Sequence, residues 1–168
     1  MEYNKALEIA LKIKLELSPF CERIEIAGSI RRKKPDVKDI EIVAIPKPYD
    51  VGLFESGIAT VVNKWKKVKG ELPCKYTQRI LPEGIKLDLF FAKEDNWGLI
   101  YAIRTGSAGY SYRRLGASWV RAGYKSSGGF LQKNDIIIPV REEIDLFNLI
   151  GVKWTPPEFR NYEILKTT

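Results

Sequence analysis

Hydrophobic positions recur along this chain with two periods, and the switches between them mark its elements. Tyr3, Ala6, Leu7, Ala10, Ile13 and Leu17 share one helical face, while Lys5, Glu8, Lys12 and Glu16 occupy the other. That stripe predicts an amphipathic packing helix ending near Ser18-Pro19. Arg23 to Ala27 alternates polar and apolar residues and predicts a first strand. Gly28-Ser29 breaks it, Ile30 to Lys34 is expected to form a short helix stopped by Pro35, and Asp39 to Ile45 reads as a second strand closing at Pro46. Between Val51 and Gly70, the spacing of Val61, Val62, Trp65 and Val68 predicts a helix. Lys64, Lys66, Lys67 and Lys69 would decorate its end, with Gly70 as cap. A hairpin follows, from Lys75 to Leu81, through Pro82-Glu83-Gly84, and back along Ile85 to Phe91. Asp95 or Asn96 is expected to cap a helix from Trp97 to Arg104. Beyond Thr105-Gly106, Ser107 would cap a second helix running to about Ala122. Ser126 to Gly129 then reads as a turn, followed by strands around Phe130-Gln132 and Ile136-Ile138, a short helix over Glu142 to Ile150, and a tail from Pro156-Pro157.

Two of these strands carry acids inside apolar runs. Asp39 and Glu41 flank Ile40, so their side chains leave the strand on the same face. Carboxylates side by side repel each other, a cost that a cation between them removes. Hard cations such as Mg²⁺ take one or two carboxylates and complete their octahedron with substrate phosphates. On the second arm of the hairpin Ile85, Leu87, Leu89 and Phe91 face one way and Asp88 the other. A charge that blunts an edge strand would explain Asp88 alone. Beside Asp39 and Glu41 in one sheet, a third metal ligand explains all three, and the chemistry suggested is metal-assisted phosphoryl transfer.

Composition narrows the partners. A chain of 168 residues, 45% hydrophobic and 29% charged, suits one domain or two small lobes. Lys and Arg total 28 against 21 Asp and Glu, and the net charge of +7 draws polyanions, nucleic acid foremost, although a merely soluble basic surface has the same balance. Arg113, Arg114 and Arg121 among Tyr110, Tyr112 and Trp119 suit contacts to nucleic-acid backbone and bases; core aromatics with solvated arginines fit the same pattern. The absence of histidine removes that residue from every catalytic or ligand role. Cys21 and Cys74 follow no metal or disulfide spacing and read as reduced thiols of a cytoplasmic protein. No apolar run approaches the roughly 20 residues of a membrane span, and the acid-bearing first stretch does not look like a signal peptide, so no membrane partner is expected.

In order along the chain, Gly28-Ser29-x-Arg31-Arg32, Asp39-x-Glu41, Leu87-Asp88-Leu89 and Thr105-Gly106-Ser107 resemble the motifs of the family X DNA polymerases, and Gly151 to Arg160 is similar to the end of that family's thumb. The resemblance implies an α+β chain. Residues 1–93 would be a nucleotidyltransferase-fold palm with a mixed or antiparallel sheet, residues 94–168 a small α/β thumb, with no lyase or fingers domain. It implies that Asp39, Glu41 and Asp88 are catalytic and hold two Mg²⁺ ions, or Mn²⁺. Gly28, Ser29 and Arg32, with Lys38, would hold the phosphates of the incoming nucleotide. Thr105, Gly106 and Ser107 would line its sugar and base, with the Gly106–Ser107 peptide cis, and Arg104, Arg113 and Arg114 would touch DNA. The implied activity is template-directed addition of nucleotides to a primer 3′-hydroxyl, at short gaps in repair-like synthesis, releasing pyrophosphate. The implied partners are a primer–template or gapped duplex and a dNTP, with NTP left open, for a monomeric enzyme. Two positions depart from the pattern: Glu41 stands where the family mostly has Asp, and Ile103-Arg104 replaces the two aromatics that police the sugar 2′ position. Ile103-Arg104 favours one alternative, a template-independent nucleotidyltransferase acting on RNA, protein or a small molecule. The other alternative is a nucleic-acid-binding module whose acids no longer hold metal.

Overall fold

The amphipathic stripe at the amino end becomes helix α1 (Tyr3–Leu17), which Glu2 caps by accepting the backbone N–H groups of Asn4 and Lys5. Its buried face is Ala6, Ile9, Ala10, Ile13 and Leu17. This computed structural model describes residues 1–48 and 57–161, and the chain divides into two units, Met1–Ala92 and Lys93–Thr168, each combining helices with a sheet. The fold class is therefore α+β.

The first unit is built on a five-stranded mixed sheet in the order β1-β2-β5-β4-β3. The strands are β1 (Cys21–Ile26), β2 (Asp39–Pro46), β3 (Lys66–Lys69), β4 (Tyr76–Ile80) and β5 (Lys86–Phe91). β2 and β5 run parallel side by side, and the other neighbours are antiparallel. Helix α2 (Gly28–Arg31) joins β1 to β2, and helix α3 (Ala59–Val62) precedes β3. One face of the sheet presents Ile40, Ile42, Ala44, Leu87 and Leu89, all fully buried, to a core shared with the apolar stripe of α1. Burying an isoleucine or leucine side chain contributes about 1.5–3 kcal/mol, so this face stabilises the unit substantially.

Three expectations for this unit are corrected. The short helix after Gly28 starts at Gly28 itself rather than at Ile30, because Gly28 takes φ +60° and turns the chain at once. The helix expected between Val51 and Gly70 exists only as α3; its first part falls on residues 49–56, outside the described residues, and Lys66–Lys69 is strand β3. Pairing with β4 outweighs the helical spacing, leaving Val68 exposed while Val62 and Trp65 keep their core positions. Gly70 follows β3 instead of capping a helix; its φ is +76°, and a Cβ there would strike the backbone of Tyr76.

The second unit starts with a single 3-10 turn, Glu94–Asn96, leading into helix α4 (Trp97–Thr105). Asn96 precedes α4 but does not cap it: its side chain accepts from the Lys93 N–H (2.7 Å) and donates to the Gly129 carbonyl (2.9 Å). Ser107 does cap the next helical stretch, accepting from the Tyr110 N–H. That stretch consists of α5 (Ala108–Tyr110), a π-helical turn over Ser111–Gly116, and α6 (Ala117–Arg121), with Gly123 beyond at φ +84°. A three-stranded antiparallel sheet follows: β6 (Lys125–Ser127), β7 (Phe130–Lys133) and β8 (Ile136–Ile138). Ser126 and Ser127, expected in a turn, are in β6, and the turn itself is Gly128-Gly129, both at positive φ. Helix α7 (Glu143–Leu149) opens with a reciprocal box between Glu142 and Asp145. Leu99, Ala102, Leu115, Leu131, Val140, Leu146 and Phe147 form this unit's own core.

Candidate functional site

The opposite face of the five-stranded sheet carries the acids. Asp39 and Glu41 alternate along β2 with the buried Ile40 and Ile42, and in the parallel pairing Glu41 stands directly opposite Asp88 on β5. Paired residues on neighbouring strands share a face at the ≈ 4.8 Å strand spacing, so the backbone brings all three carboxylates to one row. β5 is the third of five strands, which removes the explanation of Asp88 as a charge guarding a sheet edge.

Each acid has a distinct environment. Asp88 is 8% exposed, and a single oxygen, Oδ1, accepts from the Tyr76 hydroxyl (2.6 Å) and from Gln78 Nε2 (2.8 Å). Gln78 is directly opposite Asp88 across the β4–β5 pairing, and Tyr76 is held in place by stacking on Phe90, with ring centroids 4.9 Å apart. Burial raises the Asp39 carboxyl above its usual range, and the neighbouring Asp88 charge raises it further, against the pull of Lys86 and Lys38. The Glu41 carboxylate leans over Gly28, where any Cβ would collide with it. Arg32, immediately after α2, is pulled below its usual pKa by burial and held up by Glu41 and then Asp39. Ser29 Oγ, on the first turn of α2, is buried and has no hydrogen-bond partner among the described residues. Lys38 is exposed and also lines a cleft of about 610 Å³ with Met1, Asp36 and Glu83.

The donor set, three carboxylates with a nearby orphaned hydroxyl and a guanidinium, matches the oxygen ligands and phosphate partners a hard divalent ion needs. In their present rotamers, however, no three acidic or thiol groups among the described residues stand close enough to hold a metal ion. The backbone aligns the row, and the bonds from Tyr76 and Gln78 fix the orientation of the Asp88 carboxylate. Sequence reasoning missed Tyr76 and Gln78 altogether; their positions on β4 opposite Phe90 and Asp88 become legible only once the hairpin register is known.

The other residues singled out in the sequence belong to the second unit. Thr105 is fully buried at the end of α4, Gly106 follows it, and the Ser107 N–H donates to the Arg160 carbonyl (3.0 Å). The Gly106–Ser107 peptide is not cis, contrary to expectation; the one cis bond among the described residues is Leu72–Pro73. Arg104 sits in the last turn of α4, and Arg113 and Arg114 are exposed on the π-helical turn. The segment after Pro156 is more than a tail. Arg160 is fully buried, pairs with Glu143 (2.7 Å), donates to the Thr155 carbonyl (2.7 Å), and lies over the rings of Phe147 and Trp154. A lone Arg in a Pro-rich ending gave no sign of that burial.

Both cysteines are free; burial pushes the Cys21 thiol up to about 11 and raises Cys74 as well, so both stay protonated at neutral pH. Among the described residues no helix is long and apolar enough to cross a membrane. No protein-family model matches the chain, and no curated protein matches its sequence.

Proposed function

We propose that the first unit is a metal-dependent nucleotidyltransferase palm and that the chain is a template-directed DNA polymerase resembling family X, extending a primer 3′-hydroxyl at short gaps. The observation that carries this reading is the pairing of Glu41 with Asp88 on adjacent parallel strands, with Asp39 two residues along the same face. Such a row of neighbouring carboxylates, with Asp88 buried, costs stability that bound cations would offset. Asp39, Glu41 and Asp88 would hold two Mg²⁺ or Mn²⁺ ions. Ions bound there supply Lewis-acid stabilisation of the attacking and leaving oxygens of an in-line phosphoryl displacement. Around that chemistry Ser29 Oγ donates to a phosphate oxygen, Arg32 clamps the phosphate tail with its planar fork, and the strand-held carboxylates fix the site's charge. With no histidine in the chain, the 3′-hydroxyl proton passes to a carboxylate of the row or to water. Thr105, Gly106 and Ser107, as sugar and base contacts, and Arg104, Arg113 and Arg114, as DNA contacts, belong to this proposal through the resemblance alone.

The test is primer extension on gapped, nicked and single-stranded substrates with each dNTP and NTP. The reading expects addition of the complementary nucleotide only, and a loss of roughly a thousandfold in Asp39→Ala or Asp88→Asn. Addition that ignores the template base would instead establish the template-independent transferase, which the Ile103-Arg104 pair favours.

A further inference from the structure

The second unit holds a cleft of about 390 Å³ lined by Arg114, named above among the DNA contacts, with Ser118, Arg121, Ala122 and the chain after α7 from Ile150 to Val152. Arg114, Ser118 and Arg121 follow one another at helical spacings of four and three residues, so they share one face of the helical stretch. No acidic side chain lines the cleft. Ser118 is 3% exposed, and its hydroxyl accepts from Arg121 Nη2 (3.3 Å), which with the bond from Arg121 Nε to the Ala117 carbonyl (3.4 Å) steadies that guanidinium along the helix. Arg114 makes no hydrogen bond or ion pair among the described residues, leaving the five N–H donors of its fork uncommitted. On the facing wall the N–H groups of Gly151 and Val152 are already bonded to the carbonyls of Asn148 and Phe147, so the cleft's free donors come from the arginines.

We propose that this cleft binds a phosphate group, free or carried on a nucleic-acid strand. Two guanidinium groups lining one opening without a carboxylate among its lining residues suit an anion, and planar forks match the tetrahedral oxygens of phosphate with paired bonds. The simpler explanation, cations placed favourably beside the carboxyl end of α7, accounts for the charge but not for a cleft lined by both arginines and a buried hydroxyl. The inference rests on the second unit alone and does not depend on the carboxylate row.

The full chain in EDTA, with the carboxylate row kept free of metal, is titrated with inorganic phosphate, pyrophosphate and a short oligothymidylate. Binding is followed by calorimetry and by the NMR signals of the Arg114 and Arg121 Nε groups and the Ser118 and Gly151 amides. Pyrophosphate is expected to move these signals, and Arg114→Gln with Arg121→Gln to weaken its binding at least tenfold. Arg114→Gln alone, which removes no internal bond and so leaves folding intact, should weaken it severalfold. If the phosphate comes from a strand, the oligonucleotide moves the same signals and its salt dependence becomes shallower by roughly two in the double variant. If free phosphate is the ligand, only the small anions move them. Signals still under all three probes, or affinities equal in wild type and the double variant, would overturn the proposal. Absence of primer extension would leave it untouched, because this binding needs neither metal nor nucleotide.

Discussion

The two faces of the five-stranded sheet are built from the same strands by residues one position apart, and they have opposite roles. Ile40 and Ile42 point into the core with α1, while Asp39 and Glu41 between and beside them stay on the other face; on β5, Leu87 and Leu89 bracket Asp88 in the same way. The core face stabilises the fold and would tolerate little change of volume. The acid face works against the fold, since its charges repel and Asp39 is reluctant to ionise. A strand that alternates so strictly separates holding the molecule together from acting on a ligand, with the pleat as the only insulation between them.

That separation can be broken from the core side first. Leu87→Ala should cost about 2–5 kcal/mol, read as a fall in the denaturation midpoint, while the folded fraction keeps its metal affinity. Gly28→Ala sits where the faces meet. Because Gly28 has φ +60° and a Cβ would collide with the Glu41 carboxylate, the variant should lose about 1–3 kcal/mol and displace Glu41, so both melting temperature and metal binding fall. Equal metal binding in this variant would show that Glu41 is not held by the turn.

Smaller effects sharpen the acid face itself. Tyr76→Phe removes the 2.6 Å bond to Asp88 and leaves the stack on Phe90, and should weaken divalent-ion binding roughly tenfold with little change in melting temperature. Tighter binding would mean that Tyr76 restrains Asp88 from the ion rather than orienting it. Asp39→Asn is expected to have the smallest effect on stability. The folded carboxyl has a pKa raised above 3.8, so the folded protein holds that proton more firmly than the unfolded chain does. Its contribution to stability is full below about pH 3.8 and is lost as pH rises through the raised value. Metal-free Asp39→Asn should therefore be more stable than wild type at pH 7, by up to about 0.5 kcal/mol, with the gain vanishing as the buffer is acidified.

Much of this was legible in the sequence. The stripe of α1, the strands holding Asp39 and Asp88, the hairpin turn at Gly84 and the cap at Ser107 are set by local spacing and chemistry, and the structure has them where the pattern puts them. What local pattern could not carry was decided at a distance. Lys66–Lys69 becomes a strand because β4 is there to pair with it, Lys125–Ser127 because β7 is, and Arg160 is buried because Glu143, 17 residues earlier, waits for its guanidinium. The acid row was visible as residue types and faces, but not the hold of Tyr76 and Gln78 on Asp88, which depends on the β4–β5 register.

Divalent-ion binding by the carboxylate row is measured directly by Mn²⁺ titration of the full chain followed by electron paramagnetic resonance, with and without a non-hydrolysable dNTP analogue. Wild type should take up Mn²⁺ at one or two sites, more tightly with the nucleotide present, and Asp39→Asn and Asp88→Asn should each lose most of that binding. Mn²⁺ uptake that is absent in wild type, or unchanged by both substitutions, would contradict it.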